Sequence, residues 1–293
     1  MKVTERIYLV KDPPFTEGFA SFTGVYILLD KEICLVDTGY RTTPEERIFP
    51  YLDQLGRSPS EISLIVLTHG HGDHYEGIPA IKKASGAKVA VHEADAWLIE
   101  EDGDAPLFRS LSAQYPSCFR PRNGQPHPKA DILLMEGDTL NIGGGEFQVL
   151  SIPGHTEGSI ALYQPKECLA LTGDEVSGDF MHFYHDPDLC IASDRKLLSF
   201  KIDMLLAAHR YPPAPDAILK GSEVRAFIER HVAAIETAKR RTKEVLMAAS
   251  KPLSPQEVAE ALKGPTLITV MKILENLAQQ GEALAVKAET KYW

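Results

Sequence analysis

The sequence predicts an α/β protein with a small helical α+β domain at its C-terminal end. Three observations point there. Over the first 210 residues, apolar runs of strand length alternate with short helix signals. After Pro212-Pro213-Ala214-Pro215 the character changes to long helical periodicity. The composition, 44% apolar and 25% charged, is that of a globular chain and excludes collagen-like, low-complexity and disordered classes. A chain of 293 residues buries about 75% of its unfolded surface, so it needs no disulfide staples. Residues 1–215 read as the larger domain and 216–293 as an accessory domain.

The elements follow in order. Val25–Leu29 and Ile33–Val36 are apolar runs split by Asp30-Lys31-Glu32, which predicts a hairpin. Thr43-Pro44-Glu45-Glu46 predicts a helix start, with Thr43 as N-cap, Pro44 at the first position and Glu46 completing a capping box. Gly56 ends that helix. Ile62–Leu67 is a continuous apolar run, hence a buried strand. A helix is expected over Gly77–Ser85, a strand over Lys88–His92 and a helix from Glu93 to about Glu100. Residues 101–130, with five prolines and little periodicity, read as a long surface excursion. Short strands are expected over 131–172, turning at Gly143-Gly144-Gly145, and then a helix over Asp194–Ala207.

Beyond residue 215, Ser222 is expected to cap a long helix with Val224, Phe227, Ile228, Val232 and Ile235 on one face. Ser254-Pro255-Gln256-Glu257 is a capping box that opens a short helix. Leu267–Gln280 predicts a further helix ended by Gly281. Residues 283–293 read as a two-strand wing, so the tail has a winged-helix outline. No internal repeat is found.

Charge and cysteine usage narrow the classes further. The formal net charge is −10, unevenly divided: residues 220–293 carry 12 basic and 9 acidic side chains, which leaves −13 on residues 1–219. That larger part repels nucleic-acid phosphates over most of its surface. Cys34, Cys118, Cys168 and Cys190 are scattered, with no CxxC spacing. Reduced thiols, the absence of an apolar run of about 20 residues and an N-terminus without a signal-peptide core make a cytoplasmic location the expectation.

Thr68-His69-Gly70-His71-Gly72-Asp73-His74 follows directly from the Ile62–Leu67 strand. Three imidazoles and a carboxylate fall within six residues, a pattern that composition alone would produce on the order of 10⁻³ times. Residues one and two apart on a helix do not face one another, so the segment must curl as a loop, with Gly70 and Gly72 giving it backbone freedom. Imidazole and carboxylate suit zinc, iron or manganese. His92 reads as structural, and His127 and His231 as surface residues.

His-x-His-x-Asp-His after an apolar strand resembles the signature of the metallo-β-lactamase superfamily. Four further motifs stand in the order that family has them: Val36-Asp37-Thr38-Gly39, Pro153-Gly154-His155-Thr156, Leu171-Thr172-Gly173-Asp174 and Ala208-His209. The resemblance covers about residues 5–212 and implies an αββα sandwich. It implies that His69, His71 and His155 hold one divalent cation, that Asp73, His74 and His209 hold a second, and that Asp174 bridges them. Zinc is the first expectation for both. Asp37 would orient the histidine loop. Asp37, Asp73 and Asp174 are thus the candidate catalytic carboxylates, around a hydroxide held between the metals.

Substrate contacts are expected from His182 and His185, in a loop that would overhang the site, and from Arg210 and Tyr211, which follow His209 where the family usually has glycine. Asp174 separates the branches: β-lactam-degrading members resemble the rest of the pattern but generally lack this bridging carboxylate. The resemblance therefore implies a glyoxalase II-like hydrolase of esters, thioesters or lactones acting on a small molecule. One alternative is a metal-dependent endoribonuclease or phosphodiesterase, favoured by the tail and by Lys239-Arg240-Arg241-Lys243 and opposed by the acidic larger part. A second is a winged-helix DNA-binding protein whose metal domain senses a ligand. The di-iron oxidoreductase branch is set aside, because residues 220–293 are too few for its flavodoxin-like domain.

Overall fold

The computed structural model describes residues 1–13, 22–100, 127–181, 183, 185–212 and 214–283. Among these residues two six-stranded sheets face each other. The first contains β1 (Ile7–Asp12), β2 (Thr23–Leu29), β3 (Ile33–Val36), β4 (Ile62–Val66), β5 (Lys88–His92) and β6 (Ile132–Leu134), in that spatial order. It is antiparallel from β1 to β3 and parallel from β3 to β6. The second runs from β7 (Thr139–Ile142) through β8 (Gly145–Ser151), β9 (Ile160–Gln164), β10 (Leu169–Gly173) and β11 (Met204–Ala207) to β12 (Ile218–Lys220). Only β10 and β11 pair in parallel there. The sheet thus continues past the proline-rich 212–215 stretch.

Period-two alternation sorts the side chains of the first sheet between two cores. Leu9, Tyr26, Leu28, Cys34 and Val36 point between the sheets, against Val149, Leu162, Leu171 and Leu206. Val25, Ile27, Ile33 and Leu35 point outward onto Ile48, Leu52, Ile78 and Ile81. Those last four come from the turn Pro44–Ile48 with α1 (Phe49–Gln54) and from α3 (Ile78–Ser85), which follows the one-turn α2 (Gly72–Tyr75). Covered on both faces, such strands read as unbroken apolar runs. After β5 comes α4 (Ala96–Glu100).

Beyond β10 lie α5 (Pro187–Leu198), α6 (Ser222–Ala248), α7 (Pro255–Leu262) and α8 (Leu267–Gln279). Val224, Phe227 and Ile228 at the start of α6 join the core of the sandwich. Further along, Ile235 and Ala238 meet Ile273 and Leu277 of α8, with Phe183, Cys190 and Ile191. The docking face expected for 222–235 is therefore buried, with Val232 half-buried at its side. The Ser254/Glu257 capping box forms. The expected wing, 283–293, lies outside the described residues apart from Ala283, and Cys118 lies outside them as well.

Three local expectations are corrected. The helix placed at 194–207 is instead α5, capped by Asp186, whose Oδ1 accepts from Asp188 N at 2.8 Å and Leu189 N at 3.0 Å, with Pro187 in the first position. Met204–Ala207 leaves the helix because it pairs with β10 in the sheet. Thr43 makes no cap: its hydroxyl donates to the Asp12 carboxylate, and the following turn opens as a wide π-type turn. Gly221, at φ +59°, precedes α6 and puts Ser222 inside the helix without a side-chain cap.

Candidate metal centre

All seven candidate ligands stand just past the carboxyl ends of strands, on one rim of the sandwich, where open α/β sheets bind ligands. β4 leads into the His69–His74 segment, β8 into His155, β10 into Asp174 and β11 into His209. The rims are tied across the sheets: Tyr26 Oη donates to Ala207 O at 2.7 Å, and Ile160 N donates to Thr68 O at 2.9 Å. Gly173, before Asp174, has φ +56°, and a Cβ there would lie 2.6 Å from Thr68 Oγ1. Both facts require glycine.

The His segment is a loop only to His71; from Gly72 it takes one helical turn carrying Asp73 and His74. Gly70 is not in the left-handed region, and its reason is space: a Cβ would lie 2.6 Å from Leu98 Cβ.

Two clusters result. In one, His71 Nδ1 lies 3.0 Å from His69 Nε2 and 2.9 Å from His155 Nε2. In the other, Asp73 Oδ2 lies 3.6 Å from His74 Nε2 and 3.4 Å from His209 Nε2. Asp174 Oδ2 stands between them, 3.6 Å from His155 Nε2, 3.6 Å from His74 Nε2 and 3.2 Å from His209 Nε2. Six of the seven are buried, and Asp73, with 15% of its side chain exposed, marks the mouth.

The orienting contacts explain why these nitrogens converge. Asp37, at φ +64°, accepts from Thr68 N at 2.8 Å and Thr68 Oγ1 at 2.9 Å, and its Oδ2 lies 2.9 Å from His74 Nδ1. His209 Nδ1 donates to Phe22 O at 2.7 Å. Both rings thereby present Nε2 to the carboxylates.

The electrostatics of the clusters differ. Burial, and then the neighbouring imidazoles, hold His69 and His71 well below the ordinary histidine range. Burial also opposes a charge on His74, but Asp73, Asp37 and Asp174 outweigh it and raise this imidazole well above that range. For His209 burial is likewise outweighed, by Asp174 and Asp73, and its pKa rises to about 10. Burial pushes the Asp73 and Asp174 carboxyls up, yet the cations of His74 and His209 hold both below the carboxylate range.

A divalent cation fits this donor set. His71 Nδ1 lies at hydrogen-bond distance from the Nε2 of both His69 and His155, and a single ring nitrogen has one proton or one lone pair with which to serve them. His74 Nε2 and Asp174 Oδ1 are buried and have no hydrogen-bond partner among the described residues. The groups His69/His71/His155, His69/His74/Asp174 and Asp73/His74/His209 each bring their donor atoms within 4.8 Å of one another.

The candidate substrate residues are placed unevenly. Tyr211 is buried, its ring 5.7 Å from that of His209 and stacked at 5.8 Å on Phe180. Arg210 is exposed, and His185 is half-buried, its N–H donating to Gly154 O at 3.1 Å. His182 lies outside the described residues. His92 is structural, its Nδ1 accepting from Ala94 N at 3.2 Å. His231, read as a surface residue, is in fact 1% exposed, 2.8 Å from the Asp194 carboxylate. His127 is half-buried.

Sequence reasoning missed two buried carboxylates here. Glu175 Oε2 accepts from His155 N at 2.6 Å, and burial, with Asp194 nearby, pushes its pKa up to about 8 against that bond. Asp95 bonds to both histidine loops. Neither carries a local signal beyond being an acid at a strand or helix end.

Fold and donor set together define a class, that of two-sheet α/β proteins with clustered histidine and aspartate donors at one rim. The family description "Metallo-beta-lactamase superfamily" matches residues 19–209, and the chain belongs to that superfamily. It is 32% identical over 168 residues to a hydroxyacylglutathione hydrolase of Cereibacter sphaeroides, covering 56% of this chain and 55% of that one. An uncharacterized protein of Aquifex aeolicus is 33% identical over 110 residues, 38% of this chain and 47% of its own. The chain thus spans about half the length of the curated relatives it matches. Among solved structures, a metallo-beta-lactamase family protein from Thermus thermophilus superposes with a TM-score of 0.75 at 22% identity, over 96% of this chain and 95% of that one. A subclass B3 metallo-beta-lactamase of Bradyrhizobium japonicum gives 0.61 at 20% identity, over 84% and 95%. These two likenesses concern the fold.

Proposed function

We propose that the protein hydrolyses an ester, thioester or lactone with two divalent cations, zinc in first place. His69, His71 and His155 hold one; Asp73, His74 and His209 hold the other. The observation that carries this reading is Asp174 Oδ2, within 3.6 Å of imidazole nitrogens from both clusters. A carboxylate shared by the two groups of donors would offset the repulsion between two cations held there. When bound, they lower the pKa of water from 15.7 to about 7 and polarise the substrate carbonyl.

The chain's own residues orient that chemistry. Asp37 holds the His74 ring through Nδ1, and the Phe22 carbonyl holds the His209 ring through Nδ1. Asp73, the most open donor, marks the side from which substrate enters, and Tyr211 stands against His209 with Phe180 stacked on it. Tyr211, Arg210, His185 and His182 are proposed as substrate contacts. The name of the Cereibacter sphaeroides relative, a hydroxyacylglutathione hydrolase, favours a thioester among the three bonds.

We assign the chain beyond β12, the greater part of the expected 216–293 accessory domain, to a winged-helix-like unit that walls the cleft, while Ile218–Lys220 belongs to the sandwich sheet. The capped pair α7 and α8 supports this. So do the contacts of the basic cluster: Lys239 pairs with Asp188, Arg240 with Glu244 and Lys243 with Glu282, while Arg241 donates to Leu262 O. Cations engaged in this way favour a small-molecule substrate over nucleic acid. The test is metal analysis together with turnover of a panel of thioesters, lactones, phosphodiesters and β-lactams. Thioester or lactone turnover that disappears on chelation is expected. Phosphodiester cleavage alone would replace this reading with the nuclease one.

A further inference from the structure

We propose that Asp95 is the positioning residue of the three-histidine cluster, an inference that rests on the divalent-cation site proposed above. Asp95 ends the turn Glu93–Asp95 between β5 and α4 and is 1% exposed. Its Oδ2 accepts from Gly70 N at 2.8 Å and from Thr156 Oγ1 at 2.7 Å, and its Oδ1 accepts from Gly158 N at 2.7 Å. Gly70 stands between His69 and His71, and Thr156 follows His155. One carboxylate therefore holds the two loops that supply all three imidazoles, at the residues adjoining them.

The surroundings are built for this contact. A Cβ on Gly158 would lie 2.6 Å from Asp95 Cγ, so only glycine allows the approach. Burying a carboxylate is costly unless its oxygens are satisfied, and here three donors satisfy them. Asp37 does the corresponding work for the other cluster through His74 and Thr68. Asp95 hydrogen-bonds to none of Asp73, His74 or His209, and the residues it holds next to a ligand, Gly70 and Thr156, adjoin only His69, His71 and His155, so its effect is expected chiefly at that cluster.

Asparagine at 95 would present one acceptor and one donor where three donors converge. The experiment measures zinc affinity by chelator competition on chelator-stripped full-length protein. Asp95→Asn is made in two backgrounds: His209→Ala, which leaves the three-histidine cluster intact, and His71→Ala, which leaves the Asp73/His74/His209 cluster intact. In the first background Asp95→Asn is expected to weaken zinc binding by about 10–100-fold and to alter the visible spectrum of the Co(II) form. In the second, a change under about threefold is expected on the same scale. Equal affinity with and without Asp95→Asn, or an equal loss in both backgrounds, overturns the proposal. Should Asp95→Asn fail to fold, Thr156→Val removes one of the three donors and is expected to act in the same direction, less strongly. A lowered melting temperature with no change in zinc affinity would make Asp95 merely structural. Failure of the otherwise unaltered protein to bind zinc at all would instead sink the metal-site reading itself.

Discussion

The two histidine clusters lie side by side on one rim, yet they hold protons in opposite ways. Burial, and then the imidazoles around them, drive His69 and His71 neutral. His74 and His209 stand against Asp73 and Asp174, which keep protons on them. The same side chain, equally buried, acquires opposite proton affinity from its nearest charged neighbours. A cation would find lone pairs ready in the first cluster and would have to displace protons in the second.

The largest effect expected from this contrast is loss of one cation at a time. His71→Ala should empty the three-histidine cluster and His209→Ala the other, each leaving about one zinc per chain by elemental analysis. Next in size is Asp37→Ala, which removes an orienting partner rather than a ligand. It should weaken zinc binding by about 10–100-fold, most strongly at the cluster containing His74, whose ring it holds directly.

A pH titration sharpens the comparison further. Zinc affinity at the Asp73/His74/His209 cluster should fall about tenfold per pH unit for each proton displaced as pH is lowered from 8 to 7. Affinity at the three-histidine cluster should be nearly flat over that range. Calorimetric titration in buffers of different ionisation enthalpy reads the protons released. In the metal-free protein the sign can be checked independently. The pKa of His209 is raised from 6.5 to about 10, so its contribution to stability is complete below pH 6.5 and is lost as pH rises through 10. The melting temperature of the metal-free protein should fall over that window.

Much of this rim is legible in the sequence, because a ligand set concentrated after one apolar strand survives without knowledge of the fold. The hairpin at 25–36, the strand at 62–66 and the Ser254 capping box are legible for a similar reason, since each is determined by neighbouring residues. What escaped depends on distant partners. Thr43 looks like a cap until Asp12 takes its hydroxyl. Met204–Ala207 looks like the end of a helix until β10 pairs with it. His231 looks exposed until α6 buries it against Asp194 on α5. Asp95 and Glu175 are ordinary acids in sequence and acquire meaning only from the loops that meet at them.

The smallest effect concerns the basic cluster on α6. Reversing the charges of Lys239, Arg240, Arg241 and Lys243 breaks the Lys239–Asp188, Arg240–Glu244 and Lys243–Glu282 pairs, of which an exposed one such as the second is typically worth about 0–1 kcal/mol. Thioester turnover should change by less than about twofold, and both clusters should keep their zinc, because none of these cations hydrogen-bonds to a ligand residue. A steep, salt-dependent loss of RNA cleavage in this variant would favour the nuclease reading instead.

The shared carboxylate is the centre of the account, and zinc stoichiometry tests it most directly. Protein reconstituted with excess zinc, freed of unbound metal and analysed elementally should carry about two zinc per chain, and Asp174→Ala should carry about one or fewer. At most one zinc in the unaltered protein, or two retained by Asp174→Ala, would contradict it.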